Sequence, residues 1–89
     1  LELLEEDYSA TIDGKSLGLT KTEFRLLAEL ANAKGRVLTK NFLLTQVWGY
    51  EAYEPNLVEV HMSSLRKKLT AGGIDELIAT KRGVGYLIK

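Results

Sequence analysis

The rhythm of apolar and polar positions changes along the chain. Tyr8, Ala10 and Ile12 alternate with Ser9, Thr11 and Asp13, the period of two expected of a half-buried strand. Asp13-Gly14-Lys15 predicts a hairpin turn, because glycine adopts the positive φ that tight turns need. Residues 16–19 return as the partner strand, so residues 1–19 predict short antiparallel strands, with Glu5, Glu6 and Asp7 in a solvated turn. From Thr20 the spacing turns helical. Phe24, Leu27, Ala28 and Ala31 recur on one side, with Leu30 alongside, and Gly35 ends the run as a left-handed cap. Thr20 and Glu23 have the form of a capping box, in which each satisfies the other's free backbone N–H. Val37 and Leu38 predict a short extended link. Thr39 then caps a second helix, with Leu43, Leu44 and Val47 inward, Phe42 near its start and Gly49 at its end.

Residues 56–69, NLVEVHMSSLRKKL, form the most sharply divided segment. Asn56 is a good N-cap, and Glu59 supplies a second capping box. At ~100° per residue, Val58, Met62, Leu65 and Leu69 fall in one stripe. Val60, Ser63, Ser64 and Lys67 lie opposite, with Glu59, His61, Arg66 and Lys68 on the flanks. A valine amid a polar face suits contact with a thymine methyl group, although single surface valines are also common. After the Ala71-Gly72-Gly73 break, residues 78–80 and 86–88 predict two strands joined through Lys81-Arg82-Gly83-Val84-Gly85, with paired positive charge at the tip. A helix with a polar and basic face beside a basic hairpin is the arrangement of a winged helix. Residues 49–55, GYEAYEP, form a loop whose aromatics either make a contact surface or fold back onto the core.

Composition narrows the picture only a little. Eighty-nine residues, 45% hydrophobic and 27% charged, suit one ordinary globular domain spanning residues 1–89. No apolar run approaches the ~20 residues of a membrane span, and no cysteine is present for a disulfide or a thiolate metal site. A cytoplasmic setting is expected. The start on Leu-Glu-Leu-Leu without methionine leads us to expect a piece of a longer protein.

Charge is more informative. Net charge is zero, yet residues 1–60 carry six Lys/Arg against ten Asp/Glu, and residues 61–89 six against two. Such asymmetry points to a polyanion partner for the C-terminal part. Enzymatic readings find little support: no Ser–His–Asp set or carboxylate pair stands out, and Gly83 and Gly85 lack the context of a dinucleotide fingerprint. His61 has no second histidine or cysteine nearby to share a metal. No catalytic residue, cofactor or metal is expected. A protein-interaction module using the tyrosine loop is the alternative to DNA binding.

Four runs in register, T-x-T-E-F-x-L-L (residues 20–27), V-W-G (47–49), V-E-V-H-M-x-x-L-R-K-K-L (58–69) and R-G-x-G-Y (82–86), together resemble the OmpR/PhoB-type DNA-binding domain of bacterial response regulators. The resemblance implies an α+β winged helix-turn-helix: an N-terminal antiparallel sheet, three helices and a C-terminal β-hairpin wing. It also implies a receiver domain outside this sequence, phosphorylated by a sensor kinase, with a domain that is monomeric alone and dimeric on tandem direct repeats of double-stranded DNA. By this resemblance Trp48, His61, Arg66, Thr80 and Tyr86 touch the phosphate backbone. Glu59, Val60, Ser63, Ser64 and Lys67 read bases, Asn56 opens the reading helix, and Arg82 enters the minor groove. Tyr50, Glu51, Tyr53 and Glu54 stand where RNA polymerase is contacted in several members. Asn56-Leu57 followed by Glu59 resembles the PmrA/QseB-like branch, and serine at positions 63 and 64 replaces the arginines of many members. Their absence removes possible guanine contacts worth ~1–3 kcal/mol each.

Overall fold

The computed structural model describes residues 1–49, 54 and 56–89. The expected polymerase-contact positions Tyr50, Glu51 and Tyr53 lie outside the described residues. The first sheet holds β1 (Glu2–Leu4), β2 (Ser9–Ile12) and β3 (Lys15–Ser16), antiparallel in that order. The β2–β3 turn is shorter than the sequence suggested. Asp13 and Gly14 alone form it, with φ of 51° and 81°, the double positive pair that matches strand twist in a two-residue hairpin. Lys15 therefore belongs to the strand, opposite Ile12. Tyr8 also departs from the alternation. It is left-handed at φ 51° in the turn before β2, and its ring packs edge-on against Phe24, with the Lys21 ammonium 4.7 Å from its centroid.

Helix α1 (Lys21–Asn32) carries both halves of the expected box: Glu23 N–H donates to Thr20 Oγ1 at 3.1 Å, and Thr20 N–H to Glu23 Oε1 at 2.8 Å. It buries Phe24, Leu26, Leu27 and Leu30. Leu26, absent from the stripe read in the sequence, is completely covered, because the N-terminal sheet and the wing sheet both approach this helix. Helix α2 (Lys40–Trp48) is capped by Thr39, whose Oγ1 accepts from Phe42 N–H at 3.1 Å. Leu43 and Val47 are buried, whereas the Phe42 side chain is 42% exposed. Helix α3 (Asn56–Ala71) buries the expected Val58, Met62, Leu65 and Leu69. Each such burial contributes about 1.5–3 kcal/mol, which fixes the helix's rotation about its axis. Asn56 is the first helical residue instead of the cap, and the Glu59 carboxylate is engaged by a lysine of α2.

The wing is β5 (Ile78–Lys81) paired with β6 (Gly85–Ile88), so Lys81 belongs to a strand and Arg82, Gly83 and Val84 form the tip. Val84 N–H closes it on Lys81 O at 2.9 Å. The expected extended link is itself a strand, β4 (Leu38–Thr39), with Leu38 opposite Tyr86 and Thr39 opposite Gly85. A Cβ on Gly85 would collide with the Leu38 carbonyl, so glycine is required for this close approach. The second sheet thus runs β4-β6-β5 and ties the base of the wing to the start of α2. Three helices, an N-terminal antiparallel sheet and a second antiparallel sheet that joins mid-chain β4 to the C-terminal hairpin make the α+β winged helix expected from the sequence.

Candidate nucleic-acid interface

With its apolar stripe fixed inward, α3 turns a polar side to solvent. Val60 is 61% exposed, and Asn56, Glu59, Ser63 and Lys67 around it are exposed as well. Glu59, Val60, Ser63, Ser64 and Lys67 line one shallow concavity. A second, lined by Glu59, Met62, Ser63, Arg66, Lys67, Thr70 and Tyr86, runs between the helix and the wing. The exposed tip adds Lys81, Arg82 and Val84. Donors, acceptors and a methyl-bearing side chain stand side by side, bordered by cations: a surface able to meet base edges and phosphates together.

The flank facing α1 differs from expectation. The Ser64 hydroxyl donates to Glu23 Oε2 at 2.5 Å, and Lys68 Nζ donates to Glu23 Oε1 at 2.6 Å and to the Gly18 carbonyl at 3.0 Å. Residues 64 and 68 are one turn apart on a single flank of the stripe, and α1 packs there. Ser64 borders the concavity, but its hydroxyl is turned inward, away from the outward reading position assigned to it. Glu23 was legible only as a capping residue. Its side chain is 3% exposed. Burial pushes the Glu23 carboxyl up, but hydrogen bonds from Lys68, Ser64 and the Thr20 amide, with the lysine's charge, outweigh it and hold the group at about 2.

On the opposite flank Arg66 reaches the wing. Its Nη2 donates to Thr80 Oγ1 at 2.5 Å and to the Ile78 carbonyl at 3.2 Å, and the guanidinium lies 5.3 Å from the Tyr86 ring centroid. Among the described residues, Arg66 Nε is buried without an acceptor. Three expected phosphate contacts, Arg66, Thr80 and Tyr86, are therefore brought together in one cluster that braces the hairpin against α3. Tyr86 is buried, Arg66 is half-buried and Thr80 is exposed. The other two expected backbone contacts pair up: the Trp48 and His61 rings meet edge-on at 5.2 Å. His61 Nδ1 is 2.9 Å from the Leu57 carbonyl; the bond requires Nδ1–H to donate, which leaves Nε2 as the ring's other polar atom.

One cation was missed altogether. Lys40 Nζ lies 2.6 Å from Glu59 Oε1, and this hydrogen bond raises the lysine above its ordinary value. Its only sequence signal was its place just after a helix cap; the partner stands 19 residues away. Among the described residues, no group of three His, Cys, Asp or Glu side chains is placed to hold a metal ion.

This geometry agrees with comparison to known proteins. A family model described as "Transcriptional regulatory protein, C terminal" matches residues 14–88. The chain belongs to this family, of the OmpR/PhoB type. Members supply the DNA-binding effector part of response regulators in transcription regulation. The chain is 46% identical over 83 residues to the response regulator ArlR of Staphylococcus haemolyticus, covering 92% of this chain and 38% of that protein. It is 47% identical over 81 residues to the transcriptional regulatory protein PrrA of Mycobacterium tuberculosis, covering 90% of this chain and 35% of that one. The chain thus spans less than two-fifths of the length of these relatives. Among solved structures, the DNA-binding domain of the response regulator AdeR, in complex with an intercistronic region, superposes with a TM-score of 0.87 at 31% identity, covering 99% of this chain and 90% of that one. No helix among the described residues is long and apolar enough to cross a membrane.

Proposed function

We propose that this domain binds double-stranded DNA sequence-specifically, with α3 in the major groove and the wing tip on the minor groove and backbone. The observation that carries the reading is the outward face of α3. Val60 stands 61% exposed and, among the described residues, is the one apolar side chain in the concavity it shares with Glu59, Ser63, Ser64 and Lys67. A polar surface with a methyl group at its centre suits the mixed edge of base pairs, where thymine alone offers a methyl. In this reading Glu59, Val60, Ser63 and Lys67 meet bases, while Ser64 supports the face from behind through Glu23. Trp48, His61 and Thr80 approach phosphates, Arg66 and Tyr86 hold the wing at the correct distance, and Arg82 enters the minor groove.

We further propose that residues 1–89 are one domain of a cytoplasmic regulator whose receiver domain is phosphorylated by a sensor kinase. Two such domains would bind tandem direct repeats, and Tyr50, Glu51, Tyr53 and Glu54 would contact RNA polymerase. The chemistry assigned to the face is recognition, with no catalytic group or cofactor. Selection of bound duplexes from a random-sequence pool by this chain tests the reading. A recurrent motif is expected, with affinity falling steeply as salt rises, since phosphate neutralisation releases counterions. Recovery of duplexes with no shared motif would overturn it.

A further inference from the structure

The Lys40–Glu59 pair joins three elements that the proposed function treats separately. Lys40 follows directly after Thr39, which both caps α2 and pairs with Gly85 at the base of the wing. Its backbone is therefore fixed where α2 meets the wing. From there its ammonium crosses to Glu59, in the first turn of α3, at 2.6 Å, with the two side chains 48% and 52% exposed. Glu59 borders both concavities of the outward face. Among the described residues only its Oε1 is engaged, so Oε2 keeps its lone pairs free. An unpaired carboxylate would be repelled by DNA phosphates. One neutralised and oriented by a lysine is a fixed acceptor, and a fixed acceptor suits the N4 amino group that cytosine shows in the major groove.

Resting on the DNA-binding reading above, we propose that Lys40 is a positioning residue that holds Glu59 to select cytosine at one position of the bound sequence. Lys40 itself need not touch a base. It aims the carboxylate and offsets its charge, and the β4–β6 pairing couples that aim to the seating of the wing.

The test compares motifs selected from a random duplex pool by the unmodified chain, Glu59→Gln, Lys40→Met, Lys40→Arg and the Glu59→Gln/Lys40→Met double variant, each verified as folded by circular dichroism. Glu59→Gln should convert one preferred cytosine to adenine, since an amide can both donate to and accept from adenine. Lys40→Met should lower the preference for cytosine at that same position by about tenfold, and Lys40→Arg should retain it. In the Glu59→Gln background, Lys40→Met should change nothing further at that position. If Lys40→Met weakens all duplexes equally and leaves the motif intact, Lys40 is a phosphate contact only and the proposal is overturned. The same holds if Glu59→Gln alters no position. Failure of the unmodified chain to enrich any motif would instead overturn the DNA-binding reading, and this proposal with it.

Discussion

Two glutamates of this chain carry the same local signal and end in opposite roles. Glu23 and Glu59 each stand in the first turn of a helix, three residues after a good capping residue, and each accepts from a lysine at 2.6 Å. The first is enclosed between α1 and α3, with its side chain 3% exposed; the second is 52% exposed on the surface. Where water is excluded, removing one partner strands a charge, whereas a surface pair is screened and adds little net stability. Distance alone does not separate the two pairs; burial does. Glu23 fixes α3 to the body of the domain, and Glu59 remains available on the face that α3 presents.

The contrast can be broken at several points. Glu23→Ala should be the most damaging change, costing about 3–5 kcal/mol of unfolding free energy, because Lys68 and Ser64 lose their shared partner. Urea unfolding measures this, and a loss well below that range would mean the buried pair is not what anchors α3.

Acid should act on the same site. The Glu23 carboxyl lies at about 2 in the fold against 4.5 otherwise. Its contribution is therefore complete above pH 4.5 and is lost as pH falls from there toward 2. The difference is of order 3 kcal/mol, and the unfolding midpoint of Glu23→Gln should fall less steeply over that window than that of the unmodified chain. Parallel curves would contradict the lowered value.

Effects on DNA should come from the other side of the molecule. Arg82→Ala should weaken duplex binding and reduce the slope of log affinity against log salt by about 0.9, the amount for one phosphate neutralised, without moving the unfolding midpoint. An unchanged slope in a salt titration would remove the wing tip from the interface. Smallest of all, Glu59→Ala should leave the urea midpoint where it is, because its pair with Lys40 is open to solvent. A drop comparable to that of Glu23→Ala would show that exposure misjudges the pair.

The sequence made one half of this contrast legible and left the other hidden. Periodicity identified Val58, Met62, Leu65 and Leu69 correctly, because a helical stripe depends only on spacing within the helix. The Thr20–Glu23 box was equally local. What spacing cannot report is which side chain on another element lies across a flank. The Ser64 and Lys68 bonds to Glu23 span 41 and 45 residues, so spacing alone places Ser64 outward and gives no sign of the buried role of Glu23. The link at Leu38 was legible as extended, but its pairing as β4 was hidden for a related reason. Two residues are too few to show alternation, and their partners, Gly85 and Tyr86, lie at the far end of the chain. Tyr8 misled because its alternation with Ala10 was genuine in sequence, but its left-handed backbone ends the strand at Ser9.

Lys67 and Lys68 put the central division of α3 to the most direct test, since they are adjacent in sequence and face different worlds. Lys67 is exposed beside Ser63 on the outward face, whereas Lys68 holds Glu23 and the Gly18 carbonyl. For Lys67→Ala and Lys68→Ala, duplex affinity should be measured against salt alongside urea unfolding, at a temperature where both variants are folded. Lys67→Ala should change the salt slope or base preference with stability intact, and Lys68→Ala should lower stability with the salt slope intact. Equal loss of salt slope in both variants, or the reverse assignment, would contradict this division.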